Sequence, residues 1–398
     1  MSPKVLVLAN SLANGGAERQ LTLLVKFMPP EWERRVWSID GGPYAEVLRD
    51  QGIHVYVCSR AWRFDIRPAL NLIRVIHAWK PDVVHSFGYM STLSAVIPCK
   101  VFNIPLVDGS IRQAVTYSYG YRSTLSAVIS YKVLNKPLVD DTIQQANVIP
   151  KHGRIMRWAT KFGDMCIANS QAGLNAFGIS PSRGRVVYNS FDPDRLPLCT
   201  PLGLKKREHF TVIMVARMSP VKDYASFFAA AEQLANDEPA GWKFVAVGSG
   251  PDHDRLKTSS ESLVRNGILY FSEPTLEVLP YVRQSDVGVL MTKPGLHAEG
   301  CSNAIMEYMA CGLPVICSDS GGNRELVIDG VTGFIIAPED VNGLVGRLRW
   351  LKNHPEEAQS MGEAGRQRIM NSFSVKRLVD DTLGVYNEVI TRHKRPTS

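Results

Sequence analysis

Three observations predict an α/β protein built from two doubly wound parallel sheets. Apolar, β-branched runs alternate with longer segments of helical period from end to end, the pattern of parallel strands covered by helices. At 398 residues the chain exceeds what one ordinary core organises, and roughly 100–200 residues per domain points to two. Between the two series of strands, DPDRLPLCTPLGLKKREH is rich in Pro and charge, lacks a period and reads as a linker. The expected division is a first domain over 1–195, a linker over 196–209, a second domain over 210–372 and a closing helix over 373–398 that returns to the first domain.

In the first half KVLVLAN, RRVWSID, HVYVCS, DVVHSFG, PLVDGSI, MCIANS and VVYNS are the expected strands. The second half opens with FTVIMVAR at Phe210 and continues through KFVAVGS, ILYFSE, VGVLMT, PVICSD and GFIIAP. Beyond Pro355 the pattern is purely helical to about His393, which predicts two final helices. One helix-strand unit is duplicated: residues 88–114 recur at 120–146 with 19 of 27 positions identical. Two copies are too few for a solenoid, so both compete for one place in the sheet. The first directly follows DVVHSFG and is expected to fill it.

The start, MSPKVLVLANSLANGG, lacks the long apolar stretch and cleavage site of a signal peptide, and no segment has the roughly 18 uninterrupted apolar residues of a membrane span. A cytoplasmic protein is expected, with peripheral contact at the inner face of the membrane. Seven cysteines without a C-x-x-C pair fit free thiols better than disulfides or zinc. The net charge of +7 is unevenly placed: residues 1–200 hold 23 basic and 14 acidic side chains, the rest 22 and 24. An anionic membrane, a phosphate-bearing substrate or a merely soluble basic face each accounts for that asymmetry. Basic-aromatic clusters at Arg60, Trp62, Arg63, Phe64 and Arg67 and at Arg154, Arg157, Trp158 and Lys161 fit a membrane interface better than nucleic acid, for which no module is recognisable.

The first strand leads through a turn into Gly15 and Gly16 and then a helix. Strand, glycine turn and helix N-terminus make an anion site, with a tight turn without a ligand as the alternative. Arg217 ends FTVIMVAR and Lys222 follows at the entry of a helix; two cations at the carboxyl end of a strand can neutralise a diphosphate without metal, or can be an ordinary surface pair. In HAEGCSNAIMEYMACGLPV, Glu299 and Gly300 lie in a loop, Ser302 or Asn303 caps a helix, Glu307 lies within it and Gly312 stops it. The amides of Cys301, Ser302 and Asn303 are placed to hold a phosphate, and Glu299 to bond sugar hydroxyls. Asp192, Pro193 and Asp194 imitate a D-x-D metal motif but read as a turn or cap. His85, at the end of DVVHSFG, is either structural or catalytic.

GGAER, VARMSPVKD, VAVGSGP, AEGCSNAIMEYMACGLPVICSDSGGNRELV and DGVTGFIIAPED together resemble the retaining family-4 glycosyltransferases of the GT-B fold, over nearly the whole chain. The resemblance implies two Rossmann-like domains facing across a cleft and transfer from a nucleotide-sugar donor, a UDP-sugar first and GDP-mannose second, to a saccharide or lipid-linked acceptor, without metal or other cofactor. It implies that Arg217 and Lys222 hold the donor diphosphate, Glu299 the donor sugar and Glu307 the ribose, with Gly248 in VAVGSGP beside them. Gly15 and Gly16 match the loop closing on the phosphates, and Asn189 the Asn of the family's N-G-I-D segment. The family's histidine facing the sugar is matched by Arg112, or by Gln144 if the second repeat copy fills the sheet, and a common glycine near the base by Ser272. The rival readings are a sugar-nucleotide epimerase of the same fold and a silent nucleotide-binding scaffold.

Overall fold

A computed structural model describes residues 2–13, 15–62, 65–113, 157–198, 209–238, 240–273, 275, 277–295 and 298–394. The chain forms two compact units, residues 1–187 with 378–398 and residues 188–377.

In the first unit, β1 (Lys4–Ser11), β2 (Glu33–Asp40), β3 (His54–Val57), β4 (Val83–Ser86), β5 (Leu106–Ile111), β6 (Met165–Ala168) and β7 (Gly184–Val186) form one sheet. Their order is β3-β2-β1-β4-β5-β6-β7, with every pairing parallel. The central β1 is covered on both faces: Val5 to Leu8, whose side chains alternate between them, are apolar and wholly buried. The first repeat copy supplies the helix Tyr89–Val101 and β5, between β4 and β6. The second copy, Gln144 included, lies outside the described residues, as do Arg63, Phe64, Arg154 and most of the expected linker.

The second unit holds β8 (Phe210–Val215), β9 (Trp242–Val247), β10 (Leu269–Phe271), β11 (Val287–Leu290), β12 (Val315–Ser318) and β13 (Gly333–Ile336), in the parallel order β10-β9-β8-β11-β12-β13. One core fills one face under the helices Tyr224–Asp237 and Val341–Asn353, and another the opposite face under Asn303–Ala310. Two long helices, Pro355–Ser372 and Val375–Lys394, end the described chain.

The division corrects the expected boundaries. β7 ends at Val186 rather than running through VVYNS, and the second unit begins at Tyr188 instead of after a linker at 196. The cause is where those side chains find partners. The Tyr188 ring packs edge-on against Phe373 and its hydroxyl donates to Glu325 Oε2 at 2.9 Å, while Asn189 Nδ2 donates to the Cys301 carbonyl at 2.6 Å. At the other end the second unit runs to Arg377, and only from Leu378 does the helix pack with the first.

Candidate active site

In each sheet the winding reverses at one seam, between β1 and β4 and between β8 and β11; ligands of open α/β sheets bind beyond the carboxyl ends of strands at such a seam. Of the sequence-derived candidates, Arg217, Lys222 and Glu299 gather at the second seam and Gly15, Gly16 and His85 at the first.

At the second seam the loops leaving β8 and β11 bind each other: Asp223 N donates to the Met291 carbonyl and Lys293 N to the Val221 carbonyl, both at 3.0 Å, and Lys222 bridges antiparallel to Thr292. This holds Lys222 Nζ in an ion pair with Glu299 Oε1, which also accepts from Thr292 Oγ1 at 2.6 Å. Both ends of the pair are largely buried, whereas Arg217 is exposed at the end of β8. Below the seam Tyr308 is fully buried. Its hydroxyl accepts from Val215 N at 2.5 Å and donates to the Val289 carbonyl at 3.2 Å, bridging the strands where their ladder ends. A side chain on Gly288 would strike the Tyr308 ring.

Ser302 is the N-cap of Asn303–Ala310, its Oγ accepting from Ile305 N at 3.4 Å, and Gly300, Cys301 and Asn303 lead into that helix. Asn189 fixes this entry, reaching Asn303 Oδ1 at 3.1 Å as well as the Cys301 carbonyl. Gly248 has φ of +144° at the end of β9, and a Cβ there would collide with the Ala216 carbonyl; it lets the loop lie against the end of β8. Ser272 follows β10, buried, with its hydroxyl lacking a partner. Glu307 points inward from its helix, only 3% exposed, and Arg195 Nη1 donates to its Oε1 at 2.9 Å. His297 lies outside the described residues.

At the first seam Gly15 precedes the helix Gly16–Phe27. The Glu18 carboxylate folds back over Gly15, close enough that a Cβ there would have to displace it, and its Oε1 accepts from Ser11 Oγ at 3.3 Å. Burial raises the Glu18 carboxyl above its ordinary range, against the pull of its own backbone amide, Ser11 and Arg112. His85 is buried, with Nδ1 at 2.6 Å from Tyr386 Oη and Nε2 without a partner; burial, then the charge of Arg112, holds its pKa well below the ordinary value. Arg112 follows β5, donates from Nε to the Gly109 carbonyl at 2.9 Å and lies 4.4 Å over the Phe87 ring. Asp108 is also buried. Its Oδ1 accepts from Thr92 Oγ1 at 2.8 Å and Ser110 N at 3.0 Å, and burial drives its carboxyl upward.

Sequence reasoning missed Arg195, Thr292, Tyr308 and Tyr386. Arg195 stood in YNSFDPDR beside the Asn that was found, and its neighbour Asp192 caps the turn, its Oδ1 accepting from Asp194 N at 3.1 Å. Among the described residues no three His, Cys, Asp or Glu side chains gather as metal ligands, and no helix is long and apolar enough to cross a membrane.

Residues 203–368 match the family described as Glycosyl transferases group 1. A glycogen synthase of Mycobacterium tuberculosis (strain CDC 1551 / Oshkosh) is 25% identical over 330 residues, 81% of this chain and 72% of its own length. A GDP-mannose-dependent alpha-(1-6)-phosphatidylinositol monomannoside mannosyltransferase of Mycolicibacterium smegmatis is 29% identical over 188 residues, 46% of this chain and 48% of its own. The crystal structure of Anabaena Alr3699/HepE in complex with UDP superposes with a TM-score of 0.73 at 19% identity, covering 97% of this chain and 100% of that one. The chain is a glycosyltransferase whose two parallel-sheet, Rossmann-like domains have the GT-B fold.

Proposed function

We propose that the chain moves a sugar, with retention at the anomeric carbon, from a nucleotide-sugar donor to a saccharide or lipid-linked acceptor in the assembly of a cell-surface glycan. The observation that carries this reading is the charged network at the β8–β11 seam. Lys222 is held at the crevice by a carboxylate and Arg217 stands exposed beside it, so two cations can meet a diphosphate as it leaves. Glu299 takes the donor sugar, Glu307 the ribose and the amides of Cys301, Ser302 and Asn303 a phosphate. The leaving diphosphate itself draws the proton from the acceptor hydroxyl on the face it departs from, so no enzymic nucleophile takes part. A UDP-sugar is the favoured donor, in line with the UDP complex of the HepE neighbour; GDP-mannose is second. The acceptor belongs to the first unit, where Arg112 and His85 lie at the seam. Trp62, 60% exposed, with the exposed Ile66 and Leu70 on the same basic unit, supports contact with anionic lipid.

Calorimetric titration with UDP and GDP in EDTA tests the donor site. UDP should bind without metal, and Arg217→Ala or Lys222→Ala should weaken it about ten- to a hundredfold. A protein that binds neither nucleotide, or variants that bind UDP as the parent does, would reject the assignment. Binding that returns only with manganese or magnesium would reject transfer without metal.

A further inference from the structure

Arg195 sits in the 3-10 turn Pro193–Leu198, and its guanidinium joins two acids from separate elements. Nη1 donates to Glu307 Oε1 at 2.9 Å; Nη2 and Nε grip Glu277 in a fork, at 2.7 Å to Oε1 and 3.2 Å to Oε2. The arginine side chain is 18% exposed and lies 5.6 Å from the Phe191 ring. Glu277 in turn accepts at Oε1 from Leu279 N at 3.0 Å, and its own amide donates to Thr275 Oγ1 at 3.1 Å, so it anchors the segment that follows β10 and Ser272. One cation thus ties the carboxylate on the helix Asn303–Ala310 to the loop on the β10 side.

We infer that Arg195 is a positioning residue for the nucleoside: held by its fork onto Glu277, it fixes the plane of the Glu307 carboxylate for two neighbouring ribose hydroxyls. This deepens the donor-site reading and rests on it. A carboxylate this deeply buried needs a fixed counter-charge, and a planar guanidinium supplies direction where an ammonium supplies only charge. With Arg195 gone, the Glu307 carboxylate loses its fixed orientation, and selectivity for the diol falls before general phosphate binding does.

The test compares UDP with 2′,3′-dideoxy-UDP by calorimetry. The parent should prefer UDP by about tenfold or more. In Arg195→Ala, UDP should weaken about tenfold while the dideoxy compound changes little, so the preference collapses; Glu307→Gln should collapse it too, and the double variant should lose no more than either single one. A purely structural role would weaken both ligands alike. Should the alanine variant be insoluble, Arg195→Lys carries the same expectation, because an ammonium without the fork onto Glu277 pairs Glu307 without fixing its plane. An unchanged preference, or equal weakening of both ligands, overturns the inference alone. A parent that binds neither UDP nor GDP overturns the donor assignment and this inference with it; one that binds UDP and its dideoxy form alike overturns the ribose role of Glu307 and this inference, and leaves the donor site standing.

Discussion

The two seams occupy the same place in two sheets of the same winding, yet they handle charge in opposite ways. At the β8–β11 seam the two inward glutamates each meet a cation, Lys222 on Glu299 and Arg195 on Glu307. At the β1–β4 seam burial outweighs pairing: the Glu18 and Asp108 carboxyls are raised, the His85 imidazole is lowered, and Arg112 acts on all three through its charge. The second unit therefore presents fixed charges, suited to a ligand that carries its own charge and releases more as it leaves. In the first, burial disfavours the charged form of all three groups.

The largest effect that could break this contrast is on turnover. Glu299→Gln should lower the transfer rate about a hundredfold, the size of losing one charge-stabilising group. Free UDP should bind as well as before or more tightly, because Lys222 is released from its carboxylate to the diphosphate. Loss of UDP affinity in that variant would mean that the acid itself holds the nucleotide, and the paired-charge description of the second seam would fall.

A smaller effect isolates the first seam. Tyr386→Phe strips His85 of the hydroxyl on Nδ1 and leaves the buried ring with neither nitrogen bonded. The cost should be about 1–3 kcal/mol, read as a lower melting temperature of the first unit. No change on melting would show that the ring gains nothing from this partner.

The smallest effect is in pH dependence, and its sign follows from the direction of each shift. Asp108 and Glu18 have raised values in the folded state, so their contribution is full below the ordinary carboxyl range and is lost as pH rises through the folded values. His85 is depressed, so its contribution is present above the ordinary imidazole range and is lost as pH falls toward the lowered value. Asp108→Asn should therefore raise the melting temperature more at pH 8 than at pH 4.5, by a few degrees, at about 2–4 °C per kcal/mol in a unit of this size. An equal shift at both values would place the effect in packing alone.

Every expected strand but VVYNS, which meets β7 at Val186 alone, has a counterpart, because a parallel sheet covered on both faces imposes continuous apolar runs such as KVLVLAN and FTVIMVAR that local pattern reveals. The helix Asn303–Ala310, its Ser302 cap and its stop at Gly312, with φ of +76°, were equally local. The loop acid and the helix acid could be read from spacing. Arg195 could not be read as their partner, because it precedes Glu307 by 112 positions and nothing local distinguishes it from a surface arginine. Tyr386 pairs with His85 across 301 positions for the same reason. The start of the second unit was misplaced because charge and Pro mark a linker in sequence, whereas the unit begins where Tyr188 and Asn189 find hydrogen-bond partners. Glu18 lies close enough along the same helix to fold back over Gly15.

The helix Val375–Lys394 gives the molecule an order of assembly. Residues 1–187 and 378–398 share one core, with Tyr386 against both His85 and Trp32, so 190 residues of the second unit emerge from the ribosome before the first can close. At about 5–20 residues per second that delay is roughly 10–40 seconds. Throughout it the imidazole pocket of the nascent first unit stands without its tyrosine, and the second unit, contiguous in the chain, has the opportunity to finish first.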